Sequence, residues 1–381
     1  MMEFATQDEQ QLTLPELIKF GRNADRHTLI MSGIFLQKEL PVRLSKRVQE
    51  LQSLPVPMYS TKSVKELAHM YEETFLRIVE HEVPTNSAKE ASFSKMLLDI
   101  KEKHRMVQAN IADGFLEMHR TGVPKWAVES DEIQHQLNKF YTGRIGVRVL
   151  IDQHLSLRRD AEEYAEASKS SVKGKGPPAP GGSPSYVGCV QTECKLEEVI
   201  QDAVADAKAA CRMHLRDSAP VEIDGMAGLT APYIPEHLYI AVFELLKNAQ
   251  RATVELHGQG PGARFGDDLP AIRITICGGT DCHIRISDRG GGIPPESVAH
   301  IWNFAFSTAP RGIGELAGFG HGLGLSRLYA RYWGGDIEVF SLENNGVDCY
   351  IRLGVPANLP SDFTHSWVQR DKNSQELLGG S

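Results

Sequence analysis

The chain lacks any long apolar run. No window of its 381 residues approaches the roughly 20 consecutive apolar positions that a membrane-spanning helix needs. Cysteine is sparse and unarranged. The six thiols stand at 189, 194, 211, 277, 282 and 349, with no CxxC pair and no histidines at zinc-finger spacing. This argues against a structural zinc or a disulfide scaffold and for free thiols in a reducing compartment. There is no basic excess. Lysine and arginine total 41 against 49 acidic residues, and a net charge of −8 argues against broad nucleic-acid binding. The N-terminus, Met1-Met2-Glu3-Phe4-Ala5, has neither an apolar signal core nor an arginine-rich face, so no secretory signal or convincing presequence is legible. Internal repeats are absent, and so is the Gly-Lys-Ser/Thr ending of a P-loop.

What is present divides in two. From about residue 13 to 167 the apolar spacing is helical: Leu14, Leu17, Ile18 and Gly21; then Phe35, Leu36, Leu40, Leu44, Val48 and Leu51, with Pro41 as a boundary or kink; then Val64, Leu67, Tyr71, Phe75, Ile78 and Val79 between Thr61 and Val83. A long pattern from Ala88 to His119 follows, and two more helices are expected at Glu132–Tyr141 and Arg144–Leu157. Long helices with short connections predict an all-α antiparallel bundle. Residues 168–185, rich in Gly, Pro, Ser and Lys, read as a flexible linker or loop insertion. Beyond them, residues 186–356 mix helices (196–215, 236–256, 324–333) with strands (221–224, 271–277, 282–288, 336–341, 347–353). A hairpin turn is expected at Asn344-Asn345-Gly346. This is an α+β second domain, and residues 357–381 form a tail.

Three pieces of the second domain carry chemistry. On the helix 236–256, Glu244, Asn248 and Arg251 fall on one face at i, i+4 and i+7. A carboxylate can order or deprotonate a hydroxyl, and an asparagine amide oxygen suits Mg²⁺ that keeps waters and phosphate as its other ligands. In the strand 282–288, Asp288 shares the parity of Ile284 and Ile286 and should point to the core side, where a carboxylate needs donors. The amine of adenine is one such donor, and Gly290-Gly291-Gly292 lets backbone approach a ligand. Gly318-Phe319-Gly320-His321-Gly322-Leu323-Gly324 then leads into a helix start, a favourable place for phosphate. Singly, each piece is also what a surface helix, a capped glycine turn or a plain loop would show. In this order they predict an ATP site.

In that order the pieces resemble the ATPase fold of bacterial histidine kinases, Hsp90-type chaperones, MutL-type proteins and type II topoisomerases. Glu244–Arg251 resembles its N-box, Asp288–Gly292 the first glycine box and Gly318–Leu323 the second. Flanking stretches narrow the likeness. Glu39-Leu40-Pro41-Val42-Arg43-Leu44, Arg144-Ile145-Gly146-Val147-Arg148, Asn248-Ala249-Gln250-Arg251-Ala252-Thr253 and Ser326-Arg327-Leu328-Tyr329-Ala330-Arg331-Tyr332 resemble the mitochondrial α-ketoacid dehydrogenase kinases, over about residues 13–355. Phe243-Glu244 and Arg327–Tyr332 look more like the pyruvate branch than the branched-chain one.

The resemblance implies a serine kinase that uses ATP and Mg²⁺, with K⁺ as a further candidate, to phosphorylate and switch off the E1α subunit of the pyruvate dehydrogenase complex. Glu244 would be the base or polariser, and Asn248 would hold Mg²⁺ with Arg251 near the phosphates. Asp288 would bind the adenine amine beside Gly292. Ser307 and Thr308 would contact the nucleotide, and Gly318, Phe319, Gly320, His321, Gly322 and Leu323 would wrap its phosphates. It also implies a homodimer in the mitochondrial matrix, a bundle that docks a lipoyl domain of the E2 core, no nucleic-acid partner and no membrane span.

Four departures stand against the pattern. The histidine that commonly sits four residues before the glutamate is Ile240, and the stretch 309–317 is shorter than the usual lid. Gly322-Leu323-Gly324-Leu325 is closer to bacterial histidine kinases than Gly-Leu-Pro, and Trp367 has no aspartate before it. The alternatives are a branched-chain dehydrogenase kinase, a histidine kinase using His104 or His119, an ATPase switch in which Glu244 orders water, and a pseudokinase scaffold.

Overall fold

The protein was analysed as a computed structural model describing residues 1–22, 25–170 (164–170 as backbone only), 186–258, 262–304 and 320–355. Contacts divide these residues into two units, within 1–192 and within 193–355.

The first unit is helical: α1 (Met2–Ala5), α2 (Leu14–Gly21), α3 (Arg26–Gln52), α4 (Val56–Tyr59), α5 (Lys62–Glu80), α6 (Ser87–Lys103), α7 (Val107–Arg120), α8 (Lys125–Val128) and α9 (Asp131–Ser170). A short hairpin, β1 (Tyr186–Val187) with β2 (Val190–Lys195), follows. Helix α3 packs on α5 and α9. Of the boundary or kink expected at Pro41, the boundary does not occur, because α3 continues through it. A mid-helix proline costs about 3 kcal/mol, but Leu36, Leu40, Leu44, Val48 and Leu51 on both sides of it are buried along one stripe, and their burial outweighs that cost.

Two further expectations are corrected. The pattern 88–119 is broken by a 3₁₀ turn at His104–Met106. There the His104 carbonyl accepts from Arg144 Nη2 at 2.9 Å, and its ring turns inward to meet Thr74 Oγ1 at 2.9 Å. Conversely, the two helices expected at 132–141 and 144–157 are one, α9, which also continues past 167 to Ser170. Gly143 is not a break. A Cβ there would overlap the buried guanidinium of Arg47, so the glycine makes room for the ion pair of Arg47 with Glu50 at 2.6 Å. Residues 171–185, the rest of the expected linker, lie outside the described residues.

The second unit is a five-stranded sheet under helices. Its strands are β3 (Val221–Gly225), β5 (Ile272–Gly278), β6 (Cys282–Ser287), β8 (Gly346–Arg352) and β7 (Asp336–Leu342), in that spatial order, with β3 and β5 parallel and the other pairs antiparallel. Strand β4 (Thr230–Tyr233) belongs to this unit but not to this sheet. Strand alternation puts Ile272, Ile274, Ile276, Ile284, Ile286, Ile337 and Ile351 on the buried face. Helices α11 (Pro235–His257) and α13 (Gly322–Tyr332) pack against β6 and β7 respectively. Helix α10 (Leu196–Leu215) packs on α11, and α12 (Pro295–Val298) is a single turn. The β7–β8 turn takes its left-handed residue from Asn344, at φ 61°, a conformation asparagine tolerates. Strands β1 and β4 went unread because two and four residues carry no period, and β2 because its buried Val190 and Cys194 are separated by three polar residues rather than alternating with them.

His104 generates a prediction. Burial first, then the charges of Arg144, Arg148 and Lys103, pulls its pKa from 6.5 to about 3. The folded state therefore resists a proton that the unfolded chain accepts. This stabilising contribution is complete above pH 6.5 and is lost as pH falls towards 3, by about 2 kcal/mol at pH 5. Thermal melts of wild type and His104→Gln between pH 7.5 and 5 should diverge in slope, with the wild type the more acid-sensitive.

Candidate functional site

Helix α11 starts on Pro235, a residue suited to a first turn, and ends at Gly258. One side of it is locked. Leu246 and Thr253 are buried, and Gln250 both accepts from the Ala219 amide at 2.7 Å and donates to the Ala219 carbonyl at 3.0 Å. With that side fixed, Glu244, Asn248 and Arg251 are presented together on the wall of a cavity of about 180 Å³. The opposite wall comes from the sheet, through Ile286, Val339, Val347 and Cys349, and Ile293 and Ile301 add apolar surface. Gly320, Gly322 and Leu323 line it where α13 begins. The cavity is thus apolar with a few convergent polar groups, the usual composition of a small-molecule site.

Asp288 lies in this wall as its strand parity predicts and is 8% exposed. Its Oδ1 accepts from the amides of Gly290 at 2.8 Å and Val347 at 3.3 Å. Both bonds land on one oxygen, and Oδ2 keeps acceptor capacity for a ligand. Burial raises the Asp288 pKa against the lowering effect of those two amides, so a further donor would relieve a real deficit. The glycine loop is built for close approach. A Cβ at Gly290 would strike Ala252 of α11, and one at Gly292, at φ 79°, would strike the Leu342 carbonyl. Ser341 Oγ completes the joint by accepting from the Ile293 amide at 2.6 Å and donating to the Ile293 carbonyl at 3.1 Å.

Glu244 faces the start of α13. A Cβ on Gly322 would overlap its carboxylate, so the glycine is what allows the acid and the helix terminus to adjoin. Its N-cap residue, His321, makes no side-chain capping bond, and a helix start of this kind suits an incoming anion. The other end of α13 is pinned by Asp336, which accepts from Arg327 Nε at 2.7 Å and Arg331 Nε at 3.0 Å. Burial pushes the Asp336 pKa up, but these guanidinium bonds win and hold it well below the usual carboxylate range.

The structure therefore brings Glu244, Asn248, Arg251, Asp288, Gly292, Gly320, Gly322 and Leu323 to one cavity. His321 is placed otherwise: it is buried, edge-on to Phe304 at 5.7 Å, and burial lowers its pKa to about 4. Ser307, Thr308, Gly318 and Phe319 lie outside the described residues. One residue was missed. Lys247 Nζ lies 2.7 Å from Glu244 Oε2 and 2.9 Å from Oε1. The signal was available, since opposite charges at i and i+3 share a helix face.

The oxygen set also bears on metal. Among the described residues no group of three or more His, Cys, Asp and Glu could hold an ion. The cavity offers Asn248 and Glu244, which suits Mg²⁺ that arrives with phosphates better than a caged site.

Comparison with known proteins places these residues in context. Residues 11–191 match the family described as mitochondrial branched-chain alpha-ketoacid dehydrogenase kinase, and residues 233–357 match the histidine kinase-, DNA gyrase B- and HSP90-like ATPases. Over 359 residues the chain is 34% identical to the mitochondrial pyruvate dehydrogenase (acetyl-transferring) kinase isozyme 3 of Mus musculus, covering 90% of this chain and 80% of that protein. It is also 34% identical to the corresponding Drosophila melanogaster kinase (90% and 81% covered) and 32% identical to that of Arabidopsis thaliana (90% and 89% covered).

Two substitutions separate the halves of the cavity. Asp288→Ala should abolish ATP binding in calorimetry. Gly322→Ala meets only the movable end of Glu244, so it should leave the fold and most nucleotide affinity intact while displacing that carboxylate. Loss of ATP binding in Gly322→Ala with retained folding would show that the collision is not confined to Glu244.

Proposed function

The chain belongs to the mitochondrial α-ketoacid dehydrogenase kinase family, and from that premise we propose that it is an ATP-dependent protein serine kinase that phosphorylates the E1α subunit of the pyruvate dehydrogenase complex and inactivates it. One observation carries the reading: Glu244 and Asn248 stand one turn apart on the cavity wall, with the carboxylate against the start of α13. The relatives named for pyruvate dehydrogenase match most of the chain, whereas the branched-chain description covers residues 11–191 alone. That weighs towards the pyruvate substrate.

In this mechanism Asp288 Oδ2 accepts from the adenine amine, and Gly292 admits the base. The start of α13, from Gly320 to Leu323, faces the phosphates with backbone amides. Asn248 would hold Mg²⁺, with Glu244 as the neighbouring oxygen donor, and Arg251 supplies positive charge nearby. When bound, the metal ion neutralises charge on the phosphates. Glu244 accepts the hydrogen bond of the serine hydroxyl, aims its oxygen and takes its proton as phosphoryl transfer proceeds. Because the transition state is loose, position and charge matter more than base strength. Ser307, Thr308, Gly318 and Phe319 are assigned to the nucleotide by resemblance alone.

The same resemblance supports docking of an E2 lipoyl domain on the helical unit and pairing with a second copy of the chain. The relatives are named mitochondrial, which supports that compartment, and the matrix is proposed as the site of the substrate. A histidine kinase finds no support in His104, whose ring is buried and engaged with Thr74.

The test is direct. Purified protein is incubated with γ-labelled ATP and, in parallel, pyruvate and branched-chain E1, and the phosphosite is mapped. Acid-stable phosphoserine on the pyruvate E1α is expected. Label on the branched-chain E1 alone, or acid-labile label on the protein itself, would replace the proposal. Glu244→Gln should keep ATP affinity and lower transfer by about 10²- to 10⁴-fold, the range of a lost general base.

A further inference from the structure

Glu244 does not stand alone. Lys247, one turn further along α11, brings Nζ to 2.7 Å from one carboxylate oxygen and 2.9 Å from the other. The side chains of Lys247 and Glu244 are 8% and 21% exposed, so water screens the pair weakly and the attraction is directional. The two residues face different surroundings. Glu244, Asn248 and Arg251 line the cavity and Lys247 does not. The ammonium instead lies over the Phe243 ring, 5.6 Å from its centroid. Lys247 therefore grips the acid from behind while the acid looks into the cavity.

The same carboxylate adjoins α13, whose first residue, Gly322, leaves no room for a side chain beside it. The carboxylate thus has a cation on its own helix and the backbone of the next as immediate neighbours. One turn before Glu244 the residue is Ile240, which offers no charge and no hydrogen bond. Arg251 is seven residues away and pairs at 3.7 Å with Glu255. His321, next to Gly322, is kept neutral by burial.

We propose that Lys247 is the positioning residue of the phosphoryl-transfer site: its ion pair aims the Glu244 carboxylate at the start of α13 and keeps it there, the task for which Ile240 supplies no group. The inference rests on the kinase reading above. It assigns Lys247 no contact with nucleotide, metal or serine.

The experiment compares Lys247→Met, Lys247→Arg and Lys247→Gln with wild type in steady-state E1α phosphorylation. In Lys247→Met, kcat should fall about ten- to hundredfold, less than the full loss of a general base, while KM for ATP stays within about twofold. Lys247→Arg should recover most of kcat because a buried cation is restored. Lys247→Gln is the second neutral variant should Lys247→Met not fold. Combined with Glu244→Gln, Lys247→Met should cost nothing further, since the group it aims is already gone.

Unchanged kcat in the neutral variants overturns the proposal. So does a raised KM for ATP with kcat intact, which would make Lys247 a nucleotide contact, or additive losses with Glu244→Gln. A second readout needs no substrate. Lys247→Met should lower Tm in the wild-type background and much less in Glu244→Gln. If wild type phosphorylates no E1α while this coupling persists, the kinase reading fails and the pairing stands. Equal Tm losses in both backgrounds remove the pairing itself.

Discussion

Helix α11 is held by its buried side, and everything at the cavity depends on that grip. Gln250 exchanges two hydrogen bonds with the backbone of Ala219, and Leu246 and Thr253 fill the space around it. A helix fixed in rotation on one face has no freedom left on the other. Glu244, Asn248 and Arg251 are therefore delivered to the cavity by packing several ångströms away from them. The glycines at 290 and 322 extend the same logic, because each removes the side chain that would prevent a loop or a helix start from touching α11. Their lack of a Cβ fixes distances in the site as firmly as any hydrogen bond.

The two carboxylates of the cavity are handled differently. Asp288 is buried with two backbone amides on a single oxygen, and burial still pushes its pKa up. That shortfall is the physical reason it should prefer a neutral ligand donor, such as an exocyclic amine, to solvent. Glu244 has a full cation within ion-pair distance and adjoins the start of a helix, so its orientation is constrained. For a loose phosphoryl-transfer transition state, orientation counts for more than proton affinity.

The sheet was legible in the sequence because strand parity is unforgiving. Ile284, Ile286 and Asp288 had to share a face, and they do. The helical unit was legible in content but not in punctuation. Pro41 and Gly143 are ordinary breakers when only the chain is considered. Neither breaks a helix here, because a continuous buried stripe carries α3 past Pro41 and the Arg47 guanidinium fills the space beside Gly143. His104 errs in the other direction, since its periodicity is helical yet Arg144 draws its carbonyl out of the ladder. All three outcomes were set by side chains distant in sequence. The candidate site was legible as residue types at fixed intervals, while the orientation of His321 and the partnership of Lys247 needed the tertiary packing to be seen.

One departure from the family pattern acquires a meaning when set beside α13. Isoleucine at 240 offers the Glu244 carboxylate no polar support, while Gly322, which the pattern shares, leaves space that the carboxylate enters. The support it does have is the Lys247 ammonium, with the helix terminus beside it. The far end of α13 is bound to Asp336 through Arg327 and Arg331, so the start of that helix is a fixed wall rather than a yielding one. A carboxylate beside a fixed wall and paired with a lysine can be aimed without a histidine. The proton-accepting group of this site would then be set by the geometry of two helices and one ion pair, and not by a second titrating side chain.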